Sequence, residues 1–166
     1  IKSLVITDLD AVDASGEACR VAEGVNYSNT ALRFFFGATT TLDALKVFLM
    51  TDKCFNKIAG VWTKQADGKV CVVYQVTENG YNARSFEDAF INLNRTFVYN
   101  NKENFEGLKN KTYFDDATKD AYELADKCIK KKTHFALDIL FYSNQNLDNW
   151  AIPSYIKEGL LWLKKD

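Results

Sequence analysis

The chain has one histidine, His134, and four cysteines, Cys19, Cys54, Cys71 and Cys128, which lie far apart without a CxxC pair. So few soft ligands at such spacing argue against a zinc site, and their scatter through a large, core-rich chain argues against a disulfide framework. The thiols read as reduced and packed, as in a cytoplasmic protein. No apolar run approaches the roughly 18 residues needed to span a bilayer, and no basic segment leads into an apolar core and cleavage site. Neither sign of charge prevails. Lysine and arginine total 21 against 22 acids, a net charge of −1, so there is no global field to draw in nucleic acid or anionic lipid. Any polyanion must meet a local basic patch or metal ions. The GxxxxGK[ST] phosphate loop is also missing, so no ATP site is expected in these residues.

What is present is core. With 47% hydrophobic and 14% aromatic residues in 166, the chain suffices for one globular domain, expected over 1–166. Ile1 opens almost inside a strand with no initiator Met, which reads as a fragment cut from a longer protein. Residues 3 to 7 carry the continuous rather than alternating apolar run Leu4, Val5 and Ile6 and suggest a strand buried on both faces. "TTTLDALKVFLM" predicts a helix of about three turns, its stripe supplied by Leu42, Leu45, Phe48 and Leu49. Lys69 to Val76 is a clear strand, and Asp67-Gly68 suggests a hairpin pairing it with Val61 to Lys64.

After the polar "ENGYNAR", Ser85 and Asp88 resemble a capping box for a helix with the stripe Phe86, Phe90 and Leu93. "NNKENFEGLKNK" reads as a surface loop. "DDATKDAYELADKCIKKK" predicts a helix with acids first and lysines last, as the helix dipole prefers. Two more helices follow in "THFALDILFYS" and "IPSYIKEGLLWLKK", the latter with Pro153 where a first turn tolerates it. Trp150, Ile152, Tyr155 and Trp162 read as core. No internal repeat appears. The class is α/β: a small, mainly parallel sheet flanked by helices, with ligands expected beyond the carboxyl ends of its strands.

At such an end stand Asp8 and Asp10, in "LVITDLDAVD". Residues i and i+2 of a strand project to the same side, so two carboxylates would be crowded there. Each raises the pKa of the other unless a cation sits between them, and a hard divalent ion such as Mg²⁺ or Mn²⁺ relieves that cost. The plainer alternative is that both acids cap loops and are solvated. D-L-D-A-V also fits the D-x-D-x-[TV] pattern of haloacid-dehalogenase-like phosphatases, with Asp8 as nucleophile and Asp10 as general acid. Their later acidic pair is not matched, since "YFDDA" at 113–117 follows a polar loop.

Several segments in order resemble the Toprim domain of OLD-family (overcoming lysogenization defect) ATP-dependent endonucleases. They are "VITDLDAVD", the T-S-N-like "GVNYSNTAL", "RSFEDAFINLN" at 84–94, "KKTHFALDIL" at 131–140 and "WAIPSYIKEGLLWL" at 150–163. The resemblance implies a Toprim-like fold and cleavage of DNA phosphodiester bonds with two Mg²⁺ or Mn²⁺ ions. It also implies a fused N-terminal ATPase domain and a homodimeric parent protein. Carried onto this chain, Asp8, Asp10 and Glu87 would be metal ligands, and Lys132 would neutralise charge on the scissile phosphate, with Lys131 its substitute. The family's first strand and its catalytic glutamate would precede Ile1 and be missing. His134 stands where the family pattern has an acidic or small polar residue. Tyr27, Ser28 and Asn29 would form a turn shaping the loop after the metal strand. Beside this nuclease stand two other readings, the phosphatase acting through Asp8 and a non-catalytic domain that docks nucleic acid or a partner.

Overall fold

In the computed structural model, which describes residues 1–165, the sheet is built around the apolar run Val70–Val73. The elements in chain order are strands β1 (Ser3–Ile6), β2 (Ala11–Val12) and β3 (Asn26–Tyr27), then helices α1 (Thr30–Phe36) and α2 (Leu42–Val47). A 3₁₀ turn (Met50–Lys53) leads to strands β4 (Cys54–Ile58), β5 (Val61–Lys64), β6 (Val70–Val73), β7 (Thr77–Glu78) and β8 (Tyr81–Asn82). Helix α3 (Phe86–Asn101), a 3₁₀ turn (Lys111–Asp115), and helices α4 (Ala121–Cys128), α5 (Lys132–Phe141) and α6 (Ser154–Lys164) complete the chain. These fall into two compact units: Ile1–Arg84 with the segment from Ser154 onward, and Ser85–Pro153.

The first unit carries the sheet, in the order β1-β6-β4-β5. The α/β class and helix-flanked sheet expected from the sequence are present. The parallel component is the β1–β6 pair, while β6–β4 and β4–β5 are antiparallel, so the sheet is mixed. Alternation along the strands explains how both faces are covered. Val5 and Val72 pack with Leu32, Leu42, Leu45 and Phe55. Their neighbours Leu4 and Val73 instead meet Gly159 of α6, where a Cβ would come within 3.0 Å of both. α1 and α2 therefore cover one face, and α6 the other.

Three expectations in this unit are corrected. β1 is an edge strand with Ile6 exposed, because among the described residues its ladder is to β6 alone. The helix predicted over 39–50 is short: Phe48 turns to extended backbone and a 3₁₀ turn follows. Val61–Lys64 pairs with β4 rather than with the strand after Asp67-Gly68. Its turn is Ala59-Gly60, both left-handed at φ 47° and 86°, as a tight two-residue hairpin requires. Gly68 is instead a close approach, since a Cβ there would lie 2.3 Å from the Phe55 nitrogen.

The second unit is helical around an aromatic core. Phe90, Phe97, Phe105 and Phe135 stack in successive contacts at centroid distances of 6.0–6.2 Å. The capping box on α3 forms as expected, with the Ser85 N–H and hydroxyl donating to Asp88 Oδ1 at 2.7 and 2.8 Å. α3 outruns the predicted segment and is broken at Asn94 (φ −121°), whose side chain exchanges hydrogen bonds with the Ala151 backbone at 2.9 and 2.6 Å. The "surface loop" over 100–111 is partly core: Phe105 and Leu108 are buried, and Gly107 lies against the Phe135 backbone. The helix predicted from residue 115 starts only at Ala121, because Asp120 and Glu123 make the capping box and Asp116 closes a turn on Thr118. Of the four aromatic and aliphatic residues read as core, Tyr155 is buried, Trp150 is half-buried and stacks on Phe90, Trp162 is only half-buried, and Ile152 is exposed. Among the described residues no helix is long and apolar enough to cross a membrane.

Candidate functional site

β1 ends at Ile6, with only Thr7 between it and Asp8, and the Thr7 N–H donates to the Val73 carbonyl at 3.0 Å. Asp8, Leu9 and Asp10 therefore form a loop at the carboxyl end of the strand. The i, i+2 argument for two acids on one strand face does not apply, because the pleat has ended and Asp10 is left-handed (φ 53°). Leu9 anchors the loop by burying its side chain completely in the core. What holds the two acids is a set of polar side chains from elsewhere in the same unit.

Gln75 directly follows the apolar run that ends in Tyr74 and is itself buried. Its Oε1 accepts from the Leu9 N–H at 2.7 Å, and its Nε2 donates to Asp8 Oδ1 at 2.7 Å and to the Tyr155 hydroxyl oxygen at 3.1 Å. One rigid amide thus fixes both the backbone and the carboxylate of the loop. Asn29 does the same from the other side. Its Oδ1 caps α1 by accepting from the Leu32 N–H at 3.1 Å, while its Nδ2 reaches Thr7 Oγ1 (2.9 Å), the Asp8 carbonyl (2.8 Å) and Asp10 Oδ2 (3.2 Å). Asp10 is held further by Arg84: its N–H donates to the Arg84 carbonyl at 3.0 Å, and the guanidinium Nη2 lies 3.4 Å from Asp10 Oδ1. Arg84 Nε also donates to the Ala11 carbonyl at 2.9 Å. A left-handed aspartate costs about 1–3 kcal/mol and persists only where its surroundings over-determine it, as these contacts do.

A few residues on, Asp13 organises its own turn. The Ser15 hydroxyl, then the Glu17 N–H, hold its carboxyl below the usual carboxylate range.

Glu87 and Lys132 belong to the second unit and meet there. Glu87 sits in the first turn of α3, behind the Ser85 cap, and is buried. Lys132 opens α5, and its Nζ donates to Glu87 Oε2 at 3.0 Å; the lysine side chain is 65% exposed and the glutamate 8%. Lys131 is the N-cap residue of α5 without a side-chain cap, and His134 is half-buried one turn further along. The named site residues thus group as Asp8 with Asp10 in one unit and Glu87 with Lys132 in the other.

Sequence reasoning had placed Asn29 in a turn after the strand, but Gln75 and Arg84 were missed. The signal for Gln75 was there: a lone amide closing a run of five apolar residues has to satisfy its polar atoms inside the core. Arg84 gave no comparable signal, being one polar residue in a polar loop.

For a hard divalent cation the donor chemistry fits, because Asp8 and Asp10 supply carboxylate oxygens on one clamped loop and amides support them from behind. Among the described residues, no three His, Cys, Asp or Glu side chains form a metal-binding group.

In a match 105 residues long that covers 57% of this chain, it is 31% identical to Endonuclease GajA of Bacillus cereus (strain HuB5-5). That stretch is 15% of the relative, so the chain corresponds to a small part of that protein. No family model and no solved structure matches the chain.

Proposed function

We propose that this chain is the nuclease portion of an OLD-family, Toprim-type endonuclease that hydrolyses DNA phosphodiester bonds with two Mg²⁺ or Mn²⁺ ions. The observation that carries the reading is the Asp8-Leu9-Asp10 loop, where a strained aspartate and its neighbour are fixed at a strand end by Gln75, Asn29 and Arg84. Such investment in orienting two acids suits ligands better than loop caps, whose geometry has no need of a buried amide behind them. The similarity to an endonuclease supports the same reading.

In this proposal Asp8 and Asp10 bind metal through their carboxylates, and Glu87 supplies a further acidic ligand. Bound divalent ions would polarise the phosphate and lower the pKa of a water. Gln75 and Asn29 keep the ligating oxygens oriented, and Arg84 restrains Asp10. Lys132 offers a cation to the negative charge that builds on phosphate in the transition state, and Glu87 steadies that ammonium. An N-terminal ATPase region and a homodimeric parent protein belong to the same proposal.

The test is nicking of supercoiled plasmid by the full natural protein with Mn²⁺, Mg²⁺ or EDTA. Cleavage is expected only with metal, and Asp8→Ala or Lys132→Ala should lower it about 100-fold or more. Wild-type nicking by both variants would remove the assignment.

A further inference from the structure

The second unit has a cavity of about 360 Å³ lined by Lys111, Lys130, Lys131 and His134, with Phe105 and Leu108 as its apolar wall and Glu106 as its one acid. Of its lining residues only Lys131 has been given a role above, as the substitute for Lys132. The basic residues converge because of a backbone knot. The Gly107 carbonyl accepts from the Lys130 N–H at 2.7 Å and the Lys131 N–H at 3.3 Å, and a Cβ on Gly107 would come within 2.3 Å of the Phe135 nitrogen. The Gly107 N–H in turn donates to buried Asp138 Oδ2 at 2.7 Å. This draws the 104–111 segment against the start of α5, so that lysines about twenty positions apart face one hollow. Lys111 is steadied there by donating to the Glu103 carbonyl at 2.7 Å.

We infer that this cavity is a phosphate-binding pocket, distinct from the Lys132–Glu87 pair. Three lysines and a histidine against one glutamate among the lining residues favour an anion. A hollow of this size, with an apolar wall, accommodates a phosphate ester with part of its sugar or base better than a bare halide. The chain as a whole has a net charge of −1, so a local cluster of this kind is where a polyanion is held. Taking the phosphate as one in a DNA strand rests on the nuclease reading; the pocket itself does not.

His134 is the chain's single histidine, so its imidazole Hε1 gives one assignable proton signal inside the pocket. The experiment titrates the protein in EDTA with sodium phosphate in one arm and a 12-base-pair DNA duplex in the other, against chloride at equal ionic strength. A saturable His134 shift with phosphate is expected, weakened about fivefold in Lys111→Gln/Lys130→Gln and unchanged in Lys127→Gln, whose lysine pairs with Asp126 outside the cavity. A matching shift with the duplex, and a salt slope of duplex affinity reduced by about 2 in the double variant, supports DNA as the source. A shift with phosphate alone supports a pocket for small phosphate compounds and overturns DNA as its occupant. If His134 is silent in both arms the inference falls, even where metal-dependent nicking shows the nuclease reading to stand.

Discussion

The side-chain amide of Asn29 donates to Asp10 Oδ2 across 3.2 Å while its carbonyl oxygen caps α1. One residue therefore couples a helix start to the candidate ligand loop, and substitution can separate the two roles. In Asn29→Asp the acceptor that caps Leu32 is kept and the donor to Asp8 and Asp10 is lost. The helix start should be kept, but the clamp on the left-handed Asp10 is lost and a third carboxylate stands beside it, so thermal stability should fall by about 1–3 kcal/mol, and Mn²⁺ affinity measured calorimetrically should fall about 10–100-fold, as for other residues behind a metal ligand. In Asn29→Ala the cap is lost as well, at about 1 kcal/mol. Equal Mn²⁺ binding by wild type and Asn29→Asp would show that Asn29 only caps the helix.

Gly68 and Gly60 make opposite demands on the hairpin. An alanine at 68 would put its Cβ 2.3–2.7 Å from three backbone atoms of Phe55, and backbone cannot swing away as a side-chain end can. Gly68→Ala should cost about 3 kcal/mol or more by urea denaturation. At Gly60 there is open space, and the only penalty is the left-handed backbone at φ 86°, so Gly60→Ala should cost about 1–2 kcal/mol. A Gly60 variant more damaging than the Gly68 variant would contradict the β4–β5 register.

This contrast explains how far the fold was legible. Asp67-Gly68 carries a strong turn signal and does close a turn, with the Gly68 N–H donating to the Gln65 carbonyl at 2.9 Å, but that turn leads from β5 across to β6 with Gly68 close against Phe55, while the β5 hairpin is made at the weaker Ala59-Gly60. Helices whose ends are written in capping chemistry, such as Ser85 with Asp88, started where the sequence placed them. α4 started late because a better box, Asp120 with Glu123, lay inside the predicted segment. Burial of Phe105 and Leu108 was hidden by their polar neighbours, since residues far along the chain at α5 cover them. At the site, the acids were visible as a motif. Their supporting amides were not, because contacts such as Gln75 to Asp8 span 67 positions.

Asp8 also separates the two enzyme readings. As an aspartyl nucleophile it would attack phosphorus directly, and beryllofluoride would bind its carboxylate as a mimic of the acyl-phosphate. As a metal ligand it forms no such adduct, and the Gln75 amide at 2.7 Å keeps Oδ1 oriented for coordination. With Mg²⁺ and beryllofluoride, ¹⁹F NMR should therefore show no protein-bound signal. A bound signal that disappears in Asp8→Asn would replace the nuclease with a phosphatase.

Lys53 supplies a pH dependence free of the site. Its side chain is buried, with Nζ 4.4 Å from the centre of the Tyr74 ring. Burial holds its pKa below the ordinary 10.5, partly offset by the carboxylates of Glu158 and Asp52. The unfolded chain therefore binds more protons between the folded-state value and 10.5. Stability consequently rises as pH climbs through that window, and the penalty for the buried cation is fully present below it. Lys53→Met keeps a long flexible side chain over Tyr74 and removes the charge. Urea midpoints compared between about pH 7 and pH 10 should show the variant ahead at neutral pH and the wild type closing the gap as pH rises. Parallel curves for the two proteins would mean that the ammonium reaches water in the folded state.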